Sequence, residues 1–174
     1  TLTSYLSEVN SYMQQLTDDG ILALTSESEL DIIHLDETPQ AVFIVIPDER
    51  QTRHRFVTLF ITQIYKELVE KANLNLRRAE TSILKRNVYF ILDEFGNLPH
   101  FEEMDGMVTV ARSRGVRFLF VLQSYSQLKN RYGNEIADII KSNCNVKIFI
   151  GTDDIETRKE FSDLCGQKKI KTLS

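Results

Sequence analysis

The stretch NVYFILDEFGNLP, residues 87–99, decides how the rest of this sequence is read. A run of apolar residues ends abruptly in Asp93 and Glu94, and Phe95-Gly96 then breaks the pattern. Such a run reads as a buried strand, and in an open parallel sheet ligands collect at the carboxyl ends of strands. Consecutive strand residues point to opposite faces, so the two acids would take different roles. One can hold Mg²⁺ through its water shell while the next polarises an attacking water, which is the Walker B arrangement. The same two residues also suit a loop start with solvated acids, or a helix cap.

Working outward, the pattern alternates between strand and helix. Residues 41–46, AVFIVI, read as a strand buried on both faces and closed by Pro47-Asp48. An amphipathic helix follows over about 53–72, with Phe56, Leu59, Phe60, Ile64, Leu68 and Val69 in one stripe. A polar, basic connector over 73–86 leads to the strand 88–92. Helix is expected over 104–113, strand over 117–122, and helix over 125–131 and 135–142, parted by the turn signal Tyr132-Gly133-Asn134. A fourth strand is expected over 146–150. The last helix, about 153–164, has Thr152 or Asp153 as cap and Gly166 as stop. Ahead of all this, residues 2–16 carry helical spacing, and Ile32-Ile33 could form an edge strand. Strands alternating with helices imply an α/β fold, with a mostly parallel sheet covered by helices on both faces.

Two further segments bear polar groups at informative places. In FLFVLQSYSQL, residues 118–128, a strand ends at Gln123-Ser124, again on the carboxyl edge. An amide there can hydrogen-bond a γ-phosphate or the attacking water. Ser124 is read as the cap of the following helix. In ARSRGVR, residues 111–117, arginines precede a strand and therefore lie at the opposite, amino edge. There they either form a solvated basic loop or reach a neighbouring subunit's phosphate, which a planar guanidinium suits.

Composition narrows the class. With 174 residues, 42% hydrophobic and only 3 Pro and 7 Gly, the chain suits one domain with a real core. A net charge of -4 argues against coating nucleic acid by bulk attraction. Cys144 and Cys165 lack metal or redox spacing and read as free thiols, and His34, His54 and His100 are scattered. No apolar run approaches the ~20 residues needed to span a bilayer. Because the sequence starts at Thr1 and shows no signal peptide, it reads as an internal fragment of a longer protein.

Several segments, in order, resemble the TraG-like coupling proteins of conjugation and type IV secretion, relatives of the FtsK-type DNA translocases. They are ILDEFGNLP (91–99), VLQSYSQL (121–128) with YGNE after it, and IIKSNCNVKIFIGTDDIETRKEFSDLCG (139–166). AVFIVIPDERQTRHRFVTLFITQIYKELVEKA (41–72) is similar to the forms from Gram-positive mobile elements. The resemblance runs from about Ile21 to the end. It implies a partial RecA-like P-loop ATPase core using ATP and Mg²⁺, with Asp93 as the magnesium-associated acid and Glu94 as the water-activating acid. Gln123 becomes the sensing glutamine and Arg112 the trans-acting arginine, with Arg114 close enough to leave that choice open. It further implies a membrane-anchored homo-hexamer at the cytoplasmic face of the bacterial membrane. Its partners would be DNA, a relaxase complex and the channel of a type IV secretion system.

One departure is plain: GxxxxGK[ST] is absent, so no phosphate cradle is encoded here. The family carries that loop upstream, with its membrane helices. Residues 1–174 are therefore expected to be a single partial nucleotide-binding domain, soluble, inactive alone and without bound nucleotide. The alternatives are a non-catalytic α/β partner-binding module, or another RecA-like DNA translocase or helicase. The family's P-loop strand lies between those at 117–121 and 146–150. Without it, residues 146–150 should pair directly with 117–121, pair with another chain, or detach. DNA contacts are not legible; Arg77, Arg78, Lys85 and Arg86 suit either a pore loop or a solvated connector.

Overall fold

The computed structural model describes residues 6–7, 34–46, 51–79 and 81–167. The expected helix at 2–16 therefore lies outside the described residues except for the helical pair Leu6-Ser7, and Ile32-Ile33 lies outside them altogether. Helix α1 (Gln51–Ala79), strand β1 (Val88–Leu92), helix α2 (Met104–Arg114), strand β2 (Val116–Phe120), helix α3 (Tyr125–Asn143) and helix α4 (Ile155–Cys165) follow in order. The chain divides into two compact units, Thr1–Val88 with Ser113–Val116, and Tyr89–Arg112 with Arg117–Ser174.

In the first unit, α1 is longer than its apolar pattern foretold and runs through part of the expected connector. Its buried face is Thr58, Ile61, Ile64, Tyr65, Leu68 and Ala72, whereas Leu59 is exposed. The stripe is thus rotated from the one expected, because Ile61, Tyr65 and Ala72 complete a tighter i, i+3, i+4 ridge. Asp36, completely buried, ties this unit together. Its carboxylate accepts from Lys71 Nζ at 2.6 Å and from the Lys85 main-chain N–H at 2.9 Å. Glu37 takes the same lysine at 3.1 Å and Lys85 Nζ at 3.3 Å. The hydrogen bond to Lys71 is the largest cause holding the Glu37 carboxyl below its ordinary value.

The sheet among the described residues has two strands, β1 and β2. Val88 N–H donates to Gly115 O and Val121 N–H to Leu92 O, both at 3.0 Å, so the strands advance in the same direction. This register sets Phe90 beside Phe118, with ring centroids 5.2 Å apart. The parallel α/β reading of β1 and β2 holds, but two expectations fail. Among the described residues, 41–46 and 146–150 lie outside any ladder, and most of their apolar side chains are exposed, Phe43 at 88% and Ile150 at 98%, while Phe149 packs on Phe161 with ring centroids 4.9 Å apart. Of the outcomes expected for 146–150, direct pairing with 117–121 is not seen among the described residues. Nor is the sheet covered on both faces among the described residues: Phe90 and Leu92 are buried, but Tyr89, Ile91 and Leu119 on the other face are exposed. A continuous apolar run records what could be buried; it does not supply the neighbour that buries it.

Helix α3 contains the break expected at 132–134. Gly133 has φ 77° and ψ 168°, which turns the backbone out of the helix, and the 3.6-residue pattern resumes beyond it. Ser124 caps α3, its side chain accepting the Gln127 N–H, as read from the sequence. The cap of α4 is Asp154 rather than Thr152 or Asp153, and Gly166 stops it at φ 73°.

Candidate functional site

The carboxyl ends of β1 and β2 meet beyond their last ladder residues. Val121 N–H has bonded Leu92 O, and a regular parallel ladder would next return the Val121 carbonyl to the N–H of residue 94. Here Phe95 N–H takes it instead, at 3.0 Å. One extra residue is accommodated, so Asp93 and Glu94 are pushed out as a bulge. Glu94 adopts φ 47°, the left-handed region, and is the one non-glycine residue with positive φ among those described. The expectation of alternate strand faces is therefore corrected: β1 ends at Leu92, and it is the bulge that gives the two acids different orientations.

Local bonds fix this geometry. Asp93 Oδ1 accepts the Glu94 N–H at 3.0 Å. Asn97 N–H donates to Glu94 O at 2.7 Å, and Asn97 Nδ2 to Glu94 Oε2 at 2.9 Å. Phe95, fully buried, roots the turn in an aromatic cluster. Its ring lies 4.5 Å from that of Phe120, 5.4 Å from Tyr132 and 5.9 Å from Phe101. Burial pushes the Tyr132 hydroxyl up to about 12, and that hydroxyl accepts the Phe101 N–H. The apolar base is buried at Phe95, while the acids above it, Asp93 and Glu94, are exposed.

Gln123 lies two residues past Val121, at the same edge as Asp93 and Glu94, and is exposed. The turn after it is anchored from α4: Thr157 Oγ1 accepts the Tyr125 N–H at 2.8 Å, and Asp154 Oδ1 accepts from Ser126 Oγ at 2.7 Å. The structure thus gathers Asp93, Glu94 and Gln123 at one edge. Arg112 lies at the other end of the sheet, near the close of α2; it is exposed, and its carbonyl accepts Arg117 Nη1 at 2.9 Å. Arg114 is partly buried, and its Nε is enclosed without a hydrogen-bond partner.

Asp93 suits Mg²⁺ in one manner only. Among the described residues no group of three or more His, Cys, Asp and Glu could hold a metal. One of its oxygens is engaged by the Glu94 N–H, leaving the carboxylate able to take the water shell of an ion whose other ligands come from phosphate. One carboxylate with a free oxygen is compatible with an ion held mainly by other ligands, and the described residues build no protein cage for a metal. Cys144 and Cys165 are free thiols, as read from the sequence, and burial pushes the Cys144 thiol above its ordinary value. No helix among the described residues is long and apolar enough to cross a membrane.

Sequence reasoning overlooked Asn97, Gln127, Asp154 and Thr157. Asn97 and Gln127 stand inside the two quoted motifs, three residues after Glu94 and four after Gln123, but no periodicity joins residues 30 apart.

A family model described as the TraM recognition site of TraD and TraG matches residues 87–174. Nearly the whole chain is also similar to curated proteins. It is 27% identical over 173 residues to the conjugal transfer protein TraG of Escherichia coli, covering 96% of this chain and 27% of that protein. It is 26% identical over 175 residues to protein VirD4 of Rhizobium radiobacter, covering 99% and 24%. A shorter match, 29% over 86 residues, covers 49% of this chain and 14% of the type IV secretion system-coupling protein VirD4 of Bartonella henselae. The chain spans about a quarter of the length of the first two relatives. No solved structure matches significantly.

Proposed function

The chain belongs to the family described as the TraM recognition site of TraD and TraG, and from that premise we propose that it is the Walker B and sensor portion of a conjugative coupling ATPase. The observation that carries this reading is the single bond Phe95 N–H to Val121 O, which closes the bulge bearing Asp93 and Glu94 beside the strand end that leads to Gln123. Bound magnesium nucleotide would supply the phosphoryl group and the ion's charge. Asp93 would hold the ion's water shell, and Glu94, with one oxygen on Asn97 and the other open, would accept a proton from a water. The Gln123 amide would hydrogen-bond the terminal phosphate or that water. Phosphate-binding groups would come from outside this chain, which contains no GxxxxGK[ST]. Exposure favours Arg112 over the partly buried Arg114 as the arginine offered to a neighbouring subunit of a homo-hexamer.

The full-length protein would work at the cytoplasmic face of a bacterial membrane, passing relaxase-bound DNA to a type IV secretion channel. The names of the TraG and VirD4 relatives support the conjugal-transfer and type IV secretion-coupling part of that role, and the family description adds recognition of a TraM-like partner. In full-length protein, Glu94→Gln should leave ATP binding intact and lower turnover by ~100-fold or more, because it removes the base and spares the metal site. Normal hydrolysis by that variant would overturn the assignment of Glu94.

A further inference from the structure

Asn97 holds Glu94 twice, through its main chain at 2.7 Å and through its side-chain amide at 2.9 Å. The orientation of that amide is dictated by its partners. A carboxylate only accepts, so Nδ2 must face Glu94, and Oδ1 is left to accept. It accepts from Gln127 Nε2 at 2.5 Å, across 30 residues of sequence. Gln127 lies in the first turn of α3, where its own N–H is taken by the cap Ser124, the residue after Gln123. Room for this reach exists because residue 96 is glycine: a Cβ there would overlap Gln127 Cδ and Oε1. One turn further along α3, Arg131 Nε donates to the Gly96 carbonyl at 3.4 Å. A continuous chain, Ser124 to Gln127 to Asn97 to Glu94, therefore joins the two strand ends through side chains as well as backbone.

We infer that Asn97 and Gln127 are positioning residues for Glu94, fixing the direction of its carboxylate and making that direction depend on the turn that carries Gln123. This rests on the proposed role of Glu94 in hydrolysis. A carboxylate on a left-handed bulge has solvent around it and many rotamers; a fixed donor selects one. The donor is set in turn by a helix whose start follows the glutamine at the nucleotide edge, so a shift of that glutamine on engaging phosphate is transmitted to the base. An amide is the side chain that suits position 97, since it must donate on one side and accept on the other.

The test uses full-length protein, with ATP hydrolysis, binding of a fluorescent ATP analogue, and nucleotide-free hydrogen exchange over residues 94–98. Asn97→Ala should lower kcat by ~10-fold or more with KM and nucleotide affinity within about twofold, since orientation is lost while binding is spared. Gln127→Met keeps the bulk and loses the donor; it should lower kcat in the same way and speed exchange over 94–98. Gly96→Ala should reproduce Gln127→Met by displacing its side chain. In the double variant Asn97→Ala/Gln127→Met, kcat should fall no further than in Asn97→Ala alone, because both changes cut one chain. Additive losses, or unchanged or raised turnover in Asn97→Ala while Glu94→Gln is inactive, would overturn the relay and leave the hydrolytic site standing. Full activity in Glu94→Gln would instead remove the site itself.

Discussion

Thr157 Oγ1 receives the main-chain N–H of Tyr125 at 2.8 Å, so a residue on the first turn of α4 satisfies a donor at the first residue of α3. Helix starts leave such donors without intrahelical partners. Here both residues are buried, and water is not a ready substitute. Replacing Thr157 with Val keeps the shape but orphans the Tyr125 N–H. The expected loss is about 2 kcal/mol of stability, read by urea denaturation, with Thr157→Ser retaining most of it. Equal stability of the Val and Thr forms would show that the bond contributes nothing net.

Asp154 couples the same two helices and gives them a pH dependence. Hydrogen bonds from the Thr157 side chain, then Ser126, then the Thr157 main chain hold its carboxyl below the ordinary value of 3.8. Glu156 is likewise held below 4.5, chiefly by its bond to Lys129. A depressed folded pKa means the unfolded chain binds the proton more readily. The stability these acids contribute is therefore complete above their unfolded values and disappears as pH falls through the lower folded ones. Unfolding followed from pH 6 to pH 2.5 should show a steeper acid loss in the native protein than in Asp154→Asn/Glu156→Gln. Parallel curves would contradict the assignment.

Lys71 compensates the completely buried carboxylate of Asp36. Removing the cation leaves a buried charge whose hydrogen bond from the Lys85 N–H cannot balance it. Lys71→Met should cost about 3 kcal/mol or more, whereas Lys71→Met combined with Asp36→Leu should recover part of that loss. Thermal melts of the three proteins would check both statements.

Residues 41–46 are apolar, rich in β-branched side chains and without charge, and Val45 is 89% exposed. An unpaired extended segment of that kind templates association between copies. Val45→Lys should reduce concentration-dependent light scattering by the 174-residue chain without lowering its melting temperature. Undiminished scattering would place the sticky surface elsewhere.

These four contrasts mark where the sequence was legible. Elements bounded by local chemistry came through: β1 ends beside its two acids, Ser124 caps α3, Gly133 interrupts it and Gly166 closes α4. Elements defined by partnership did not. Residues 41–46 and 146–150 carry the composition of buried strands, but pairing is a property of two segments, and among the described residues neither joins a ladder. The site divides in the same way. Asp93, Glu94 and Gln123 could be placed at one edge from strand ends alone, whereas the bulge depends on where Val121 sends its carbonyl. The link from Asn97 to Gln127 depends on a missing side chain at residue 96.

The left-handed backbone of Glu94 also bears on how this protein would respond to selection. A side chain at φ 47° costs about 1 kcal/mol relative to a comfortable conformation, and glycine would relieve most of it. The position thus sets durability against duty. A library screened only for heat resistance would enrich glycine at 94, and its winners, on the role proposed for this acid, would be the proteins least able to do any work.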